Sequence, residues 1–345
     1  MLKGEFVHDQ RYVEMTEWLK TKFSDKTYQI EVASADASFR RYFRVCGDTW
    51  RWIVMDAPPD KEDSLTFVTV AQAFKSVGLN VPEIKVKDLT RGFLVITDFG
   101  DRAFLPLLAD DNVNQLYSDA LQSLLILQTK TNQSLINLPM YDAELLLREM
   151  QLFSEWFLPK YLNIQLDSNQ TKDLESIFQL LIENAIEQPQ VWVHRDYHSR
   201  NLMYVEENNP GIIDFQDAVI GPITYDLVSL LKDCYIAWPP QQVNEWVSNY
   251  LQQLQQYGLC ENMTNDKFQQ YFDLMGVQRH LKAIGIFSRL NYRDGKSGYL
   301  QDIPRTLDYV IQACRNYPAL SPLLVLIEEY VLPKLTQKVK QTCAQ

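Results

Sequence analysis

The strongest constraint on what this chain can become is a spacing near its middle, in "WVHRDYHSRNLMYVEENNPGIIDFQDAV". His194-Arg195-Asp196 is followed after four intervening residues by Asn201, and Asp214 stands thirteen residues beyond that asparagine. Between Asn201 and Asp214 run an apolar stretch, a turn-forming Glu-Asn-Asn-Pro-Gly and a second apolar stretch, which together predict a hairpin. A hairpin would bring Asn201 and Asp214 side by side, as a shared cation requires. Phosphoryl transfer asks for these groups: a carboxylate to orient and deprotonate an attacking hydroxyl, and oxygen ligands for Mg²⁺ on nucleotide phosphates. Each residue also has a plain structural reading, the aspartates and Asn201 as turn or cap residues and His194 as a buried, hydrogen-bonded strut. It is the order and spacing of the whole set that favour the functional reading.

The rest of the chain surrounds that segment with two different patterns. A helix starting at Asp9 is followed by strand-like runs around 28–33, 39–46 and 50–56. Residues 63–77 repeat apolar positions at helical spacing, and "VPEIKVKDL" and "GFLVITDF" read as two more strands. From about 112 onward the pattern becomes long amphipathic helices, expected at 112–130, 142–160, 170–187, 224–236, 241–257, 265–291 and in a last pair beyond 305, interrupted only by the segment above. The expected fold is therefore α+β and two-lobed, with residues 1–100 forming a small antiparallel, nucleotide-binding lobe around one helix. Residues 101–345 would form a helical lobe carrying the catalytic loop and the acceptor region.

That element order is the one found in protein-kinase-like folds. In the kinase arrangement the loop aspartate is the base, the asparagine binds one metal, and the aspartate after the hairpin binds metal across the phosphates. Asp196, Asn201 and Asp214 match those roles. Asp98-Phe99-Gly100 copies the kinase metal signature letter for letter, but it precedes the catalytic loop and so cannot be the metal aspartate. It follows the last strand of the small lobe, where Thr97, Asp98 and Phe99 are expected to form a hinge whose backbone meets an adenine edge. Asp226, in the first turn of a helix beginning near Thr224, is placed to favour the helix dipole and to hydrogen-bond back to the catalytic loop.

Beyond Asp214 the chain has no regulatory loop ending in Ala-Pro-Glu; it enters a helix within about a dozen residues. His-x-Asp-x-His-x-x-Asn, then Ile-Asp-Phe, then Asp-Leu, matched at His194, Asp196, His198, Asn201, Asp214 and Asp226, resembles the aminoglycoside/choline phosphotransferase family. Its members phosphorylate small hydroxylated metabolites and drugs. The blocks "SADASFRRYFRV", "VMDAPP" and "MGVQRHLKAIGIFSRLNYRDGKSGYLQDIPRTL" look, more closely, like the bacterial anomeric kinases of N-acetylmuramate and N-acetylglucosamine. The resemblance implies ATP with Mg²⁺ and an amino sugar phosphorylated at its anomeric hydroxyl, in peptidoglycan recycling. Alternatives are a kinase of another small alcohol, such as an aminoglycoside, choline or a different sugar, and a nucleotide-binding pseudokinase.

Two departures from the kinase pattern stand out. The third strand, "WIVMDAPPD", has Met55 and Asp56 where a phosphate-holding lysine is usual. The phosphate loop, "ASADASFRR", offers Ser34 and Ser38 in place of glycines. Arg40 and Arg44 share one strand face and Arg41 the other; one or both of the former replace the lysine, or they belong to an ordinary exposed face. Further on, Arg279, Lys282, Arg289 and Arg293 fall on one face of a helix over 273–296, opposite Leu274, Val277, Leu281 and Ile284. This is either a solvated stripe or a wall suited to an anionic ligand such as a lactyl carboxylate. Arg200, Asp217, Asp294 and Lys296 are further candidates for the acceptor.

Composition sets the remaining limits. A net charge of −11 disfavours nucleic acid or an anionic membrane surface as a partner. Nothing in the sequence implies a protein partner. Five dispersed cysteines read as free thiols of a reducing compartment. With no apolar signal core and no membrane-length apolar run, a cytoplasmic location is expected.

Overall fold

The structure, a computed structural model, describes residues 9–24, 26–35 and 39–343. The chain begins α1 (Gln10–Lys22), β1 (Gln29–Ala35), β2 (Arg41–Cys46), β3 (Arg51–Asp56), α2 (Ser64–Ser76), β4 (Ile84–Asp88) and β5 (Phe93–Thr97). Then come α3 (Phe104–Leu107), α4 (Val113–Thr129), α5 (Ala143–Leu152), a π-helical stretch Phe153–Tyr161, and α6 (Ser168–Glu187). The middle segment holds β6 (Gln190–Val193), β7 (Leu202–Met203), β8 (Gly211–Ile212) and β9 (Val219–Pro222). It leads to α7 (Tyr225–Leu231), α8 (Pro240–Gln256), α9 (Asn265–Asp294), α10 (Ile303–Asn316), α11 (Ser321–Leu326) and α12 (Leu332–Cys343).

Two compact units result. The first unites the described residues up to Ala103 with Leu202–Gln216; the second holds Phe104–Asn201 and everything from Asp217 onward. In the first unit the sheet order is β1-β2-β3-β5-β4, every neighbouring pair antiparallel. Strand alternation turns Phe43, Val45, Val54, Phe93 and Val95 to one face, where Met15, Trp18 and Leu19 of α1 cover them. Asp9 caps α1 by accepting from Tyr12 N–H, and Asp63 caps α2 by accepting from Leu65 and Thr66 N–H. The hairpin β7–β8 pairs Leu202 with Ile212 and Met203 with Gly211. It is fastened by Ile212 N–H to Asn80 O (2.8 Å), Tyr204 N–H to Arg102 O (2.7 Å) and a bridge from Met203 to Ala103. Phe215, just after the hairpin, packs 4.9 Å from the Phe67 ring and 6.0 Å from that of Phe74, both on α2.

The second unit is built around α9. Its middle is buried on nearly every side, by α5, α6, α7, α10 and the π-helical stretch. Gly285 permits a close approach of the α5 end: a Cβ there would lie 2.4 Å from the Leu152 carbonyl carbon. The helix stops at Gly295, whose φ of +68° forms a left-handed cap. β6 pairs with β9, so the loop leaving β6 and the helix following β9 start from one short sheet. Among the described residues no helix is long and apolar enough to cross a membrane. Cys46, Cys234, Cys260 and Cys314 are unpaired thiols.

Candidate active site

The loop from His194 to Asn201 leaves β6 and is held from behind by two buried aspartates. Asp226 accepts from the backbone N–H groups of His194 (2.6 Å) and Arg195 (3.0 Å). Asp233 accepts from Ser199 through both its N–H (3.0 Å) and its hydroxyl (2.5 Å). Both carboxylates are fully buried, and burial pushes that of Asp226 up to about 7 against the pull of the two backbone donors. Asp233 was not singled out from sequence, although it stands seven residues, two helical turns, after Asp226.

These clamps give the loop an unusual shape. Arg195 has φ of +75°, a conformation rare for a side chain of its size. Its guanidinium lies over the Tyr141 ring and bonds to Glu149. Asp196 O accepts from His198 N–H (3.0 Å) and from the Asn201 side-chain Nδ2 (3.0 Å). Asn201 thus has its amide nitrogen turned toward Asp196. His194 is buried beside the Tyr197 ring, and its Nδ1 accepts from Asp196 N–H (3.2 Å), as suits a strut.

Electrostatics favour an ionised Asp196. Burial raises its carboxyl, but the charge of Lys282, with His198, Arg279 and Arg195, outweighs burial and holds it below the usual carboxylate range. Lys282 in turn is bound by Glu149 (3.1 Å) and by the Tyr225 hydroxyl (2.9 Å). Burial alone would favour loss of its proton; Glu149 and Tyr225 reverse that. Tyr141 donates to the same Glu149 carboxylate, so three donors from three elements meet one buried acid.

These positions correct the solvated reading of the α9 stripe. Arg279 and Lys282 are buried, at 5 % and 8 % exposure, because α9 is covered all round instead of lying on a surface. Arg279 contacts the Cys234 sulfur (3.6 Å). Arg293 and Asp294 lie near the exposed end of the helix, paired with each other (2.7 Å). Lys296 is exposed beyond them. Arg200 stacks 3.5 Å over the Tyr235 ring and 5.7 Å from that of Tyr299. Those rings belong to an aromatic run with His198 and Phe287 that sequence reasoning did not find. Asp217 is exposed, and its backbone carbonyl accepts from Arg195 (3.4 Å).

The first unit holds the other half of the expected set. Asp214 follows the hairpin with φ of +65°, and its Oδ1 accepts from Gln216 (2.8 Å). Of the proposed hinge, Thr97 is engaged with Glu83 through its N–H and its hydroxyl, each at 3.0 Å. The Asp98 carboxylate is occupied by Arg44 (2.6 Å), Arg51 (2.8 Å) and the Gly100 N–H (2.8 Å). The Phe99 ring lies against Gly211, where a Cβ would come within 2.7 Å of it. Arg44, one of the two arginines read as replacing the lysine, is closed in by Asp98 and Asp101 (2.6 Å). Asp56, at the lysine's usual place, is buried and bonded by Arg11 and Arg41. Ser38 lies outside the described residues; Ser34 ends in β1, and its side chain is likewise outside them.

A five-stranded antiparallel sheet, a catalytic loop carrying a charge-stabilised aspartate, and a hairpin ending in Asp214 define a kinase-like phosphotransferase. The profile of the Phosphotransferase enzyme family matches residues 29–261, and the chain belongs to that family. It is 41% identical over 332 residues to the N-acetylmuramate/N-acetylglucosamine kinase of Pseudomonas putida, covering 93% of this chain and 97% of the other. Against the kinase of the same name from Pseudomonas aeruginosa the identity is 44% over 291 residues, 84% of this chain and 85% of that one. The fold matches the GDP complex of aminoglycoside 2'-phosphotransferase-IIIa with a TM-score of 0.59 at 16% identity, covering 88% of this chain and 98% of that one.

Proposed function

We propose that this protein is an ATP-dependent kinase acting on the anomeric hydroxyl of N-acetylmuramate, N-acetylglucosamine or both, yielding the sugar 1-phosphate for cell-wall recycling in the cytoplasm. The observation that carries the chemistry is Asp196, ionised by surrounding positive charge and fixed by a loop that Asp226 and Asp233 grip from behind. The acceptor class follows the names of the relatives that match almost end to end.

In this reading Asp196 orients the acceptor hydroxyl and takes its proton. An anomeric hydroxyl is more acidic than an ordinary alcohol, so the base has less to do and positioning contributes most. Asn201 and Asp214 would hold Mg²⁺. The donor chemistry fits: both are hard oxygen ligands, the Asn201 nitrogen is tied to Asp196 O, and the Asp214 carboxylate is steadied by Gln216. When bound, the ion would neutralise charge on the transferring phosphate. Arg200 and Arg279 are the basic candidates for the lactyl carboxylate of N-acetylmuramate. Lys282 is already engaged by Glu149, which favours a role in setting the charge around Asp196. Thr97–Phe99 supports the base of the nucleotide through its backbone.

Phosphorus NMR tests the proposal, with protein, ATP, Mg²⁺ and, separately, N-acetylmuramate, N-acetylglucosamine and kanamycin. A sugar 1-phosphate resonance split by the anomeric proton is expected with at least one amino sugar. A product from kanamycin alone would replace the proposal with aminoglycoside phosphorylation. No product from any acceptor, with ATP still bound, would leave a nucleotide-binding module.

A further inference from the structure

Most of the basic candidates are already matched to an acid. In the first unit Arg40 meets Glu62 at 2.8 Å and Arg44 meets Asp98 at 2.6 Å. In the second, Arg195 and Lys282 share Glu149, and Arg293 pairs with Asp294. Arg279 is closed in on α9, with its Nε enclosed and its Nη1 against the Cys234 sulfur. Arg200 differs from all of these. It lies on the catalytic loop, four residues after Asp196, and is only half-buried. Among the described residues no carboxylate comes within ion-pair distance of its guanidinium. Rings hold it instead, Tyr235 at 3.5 Å and Tyr299 at 5.7 Å.

The fold builds this stack from both sides. Asp233 Oδ2 accepts from the N–H and the hydroxyl of Ser199, the residue before Arg200, and its Oδ1 accepts from the Tyr235 N–H at 2.9 Å. One buried carboxylate thus fixes the backbone that carries the guanidinium and the backbone that carries the ring. Tyr299 comes from the 3₁₀ stretch Ser297–Asp302, and its ring is stacked on that of Phe287 of α9 at 5.6 Å. Asp302 feels the Arg200 charge but bonds to Arg305 at 3.1 Å. Stacking uses the face of a guanidinium and none of its five N–H donors, which form a fork matched to a carboxylate. N-acetylmuramate differs from N-acetylglucosamine by one lactyl ether, and hence by one carboxylate. The ether oxygen is two ring carbons from the anomeric carbon, so the group that reads that carboxylate must stand beside the base and not at it.

We propose that Arg200 recognises the lactyl carboxylate and so sets the preference for N-acetylmuramate over N-acetylglucosamine, with Tyr235 and Asp233 as its positioning residues. The inference rests on the acceptor reading above and assigns to Arg200 what was there shared with Arg279.

Initial rates of the purified full chain with ATP and Mg²⁺ give kcat and KM for each sugar. Arg200→Met should lower the ratio of kcat/KM for N-acetylmuramate to that for N-acetylglucosamine by about tenfold to a hundredfold, the loss of one charge-assisted carboxylate contact. The change should lie in KM for N-acetylmuramate, because the lactyl group is contacted alike before and during transfer. Arg200→Lys keeps the charge without the fork and should recover part of the ratio. Tyr235→Leu should lower the same ratio by a smaller factor. Arg148→Met, removing an exposed cation of α5, should keep the wild-type ratio. An unchanged ratio in Arg200→Met, equal losses with both sugars, or a fall in the ratio confined to Arg279→Met would overturn the role. If Arg200→Met does not fold, as judged by circular dichroism, Arg200→Lys and Tyr235→Leu decide by the same ratio. Where wild type accepts N-acetylmuramate alone, the rise in its KM is the readout. A wild type that phosphorylates N-acetylglucosamine but not N-acetylmuramate would overturn this inference alone; one that phosphorylates neither would defeat the acceptor reading as well.

Discussion

Glu149 offers the sharpest test of how the second unit is held together. Its carboxylate is 6 % exposed and receives Arg195, Lys282 (3.1 Å) and the Tyr141 hydroxyl. Glu149→Gln keeps the shape and one acceptor oxygen but removes the carboxylate charge that the buried Lys282 and the half-buried Arg195 both contact. Uncompensated buried charge is costly: breaking such a pair from one side typically loses about 3–5 kcal/mol. At about 2–4 °C per kcal/mol for a unit of this size, the melting temperature should fall by about 6–20 °C.

A thermal melt followed by circular dichroism reads this directly, and a double-mutant cycle isolates the pair. Lys282→Met alone leaves Glu149 with Arg195 and should cost less than Glu149→Gln. The double variant should be more stable than the sum of the two single losses implies, with a coupling of about 2 kcal/mol or more. A Glu149→Gln protein melting within about 2 °C of wild type would refute the reasoning, because it would mean that solvent already compensates the two cations. Equal additivity in the cycle would refute it too.

Asp196→Asn should lower turnover by about a hundredfold or more while nucleotide affinity stays near wild type, the usual scale for removing a general base. Asp226→Asn would set an amide N–H₂ against the His194 and Arg195 N–H groups; stability should drop by about 2 kcal/mol in urea titration, and kcat should fall as the loop loosens. His280 is buried, with Nε2 at 2.9 Å from Lys232 O and its ring stacked on Tyr309, and burial followed by the Arg279 charge lowers its pKa to about 3. The unfolded chain therefore takes up a proton below pH 6.5 that the folded one refuses, and this contribution falls by about 2 kcal/mol between pH 6.5 and 5. Asp226, raised to about 7, titrates in part of the same window with the opposite sign. The measurement is thus the difference between wild type and His280→Gln, whose stability should fall less on acidification; parallel pH curves would sink it. Gly211→Ala drives a methyl into the Phe99 ring and should cost about 1–3 kcal/mol in the same titration.

Much of the architecture could be read from local pattern. The expected strands at 39–46 and 50–56 are β2 and β3, and the helix expected at 112–130 is α4, because their apolar periods match the faces they bury. The helix expected over 142–160 becomes α5 and then a π-helical stretch containing Pro159, a change periodicity does not signal. The short Leu202–Ile212 hairpin was legible from Asn-Asn-Pro-Gly.

Partner choice was not legible, for a physical reason. A helical projection ranks residues around one axis and assumes that one side meets water. α9 is surrounded, so Arg279 and Lys282 can be both charged and buried only because acids from other elements reach them. Glu149, which does this for Lys282, lies 133 residues away in sequence on α5. The same holds in the sheet: alternation correctly separates Arg41 from Arg40 and Arg44, yet nothing local says that Asp98 will close around one and Glu62 brace the other. Sequence spacing therefore specifies which residues can do chemistry. Which acid closes around which arginine is decided by long-range packing, and for that reason the partners of Arg40 and Arg44 could be told apart only in the folded chain.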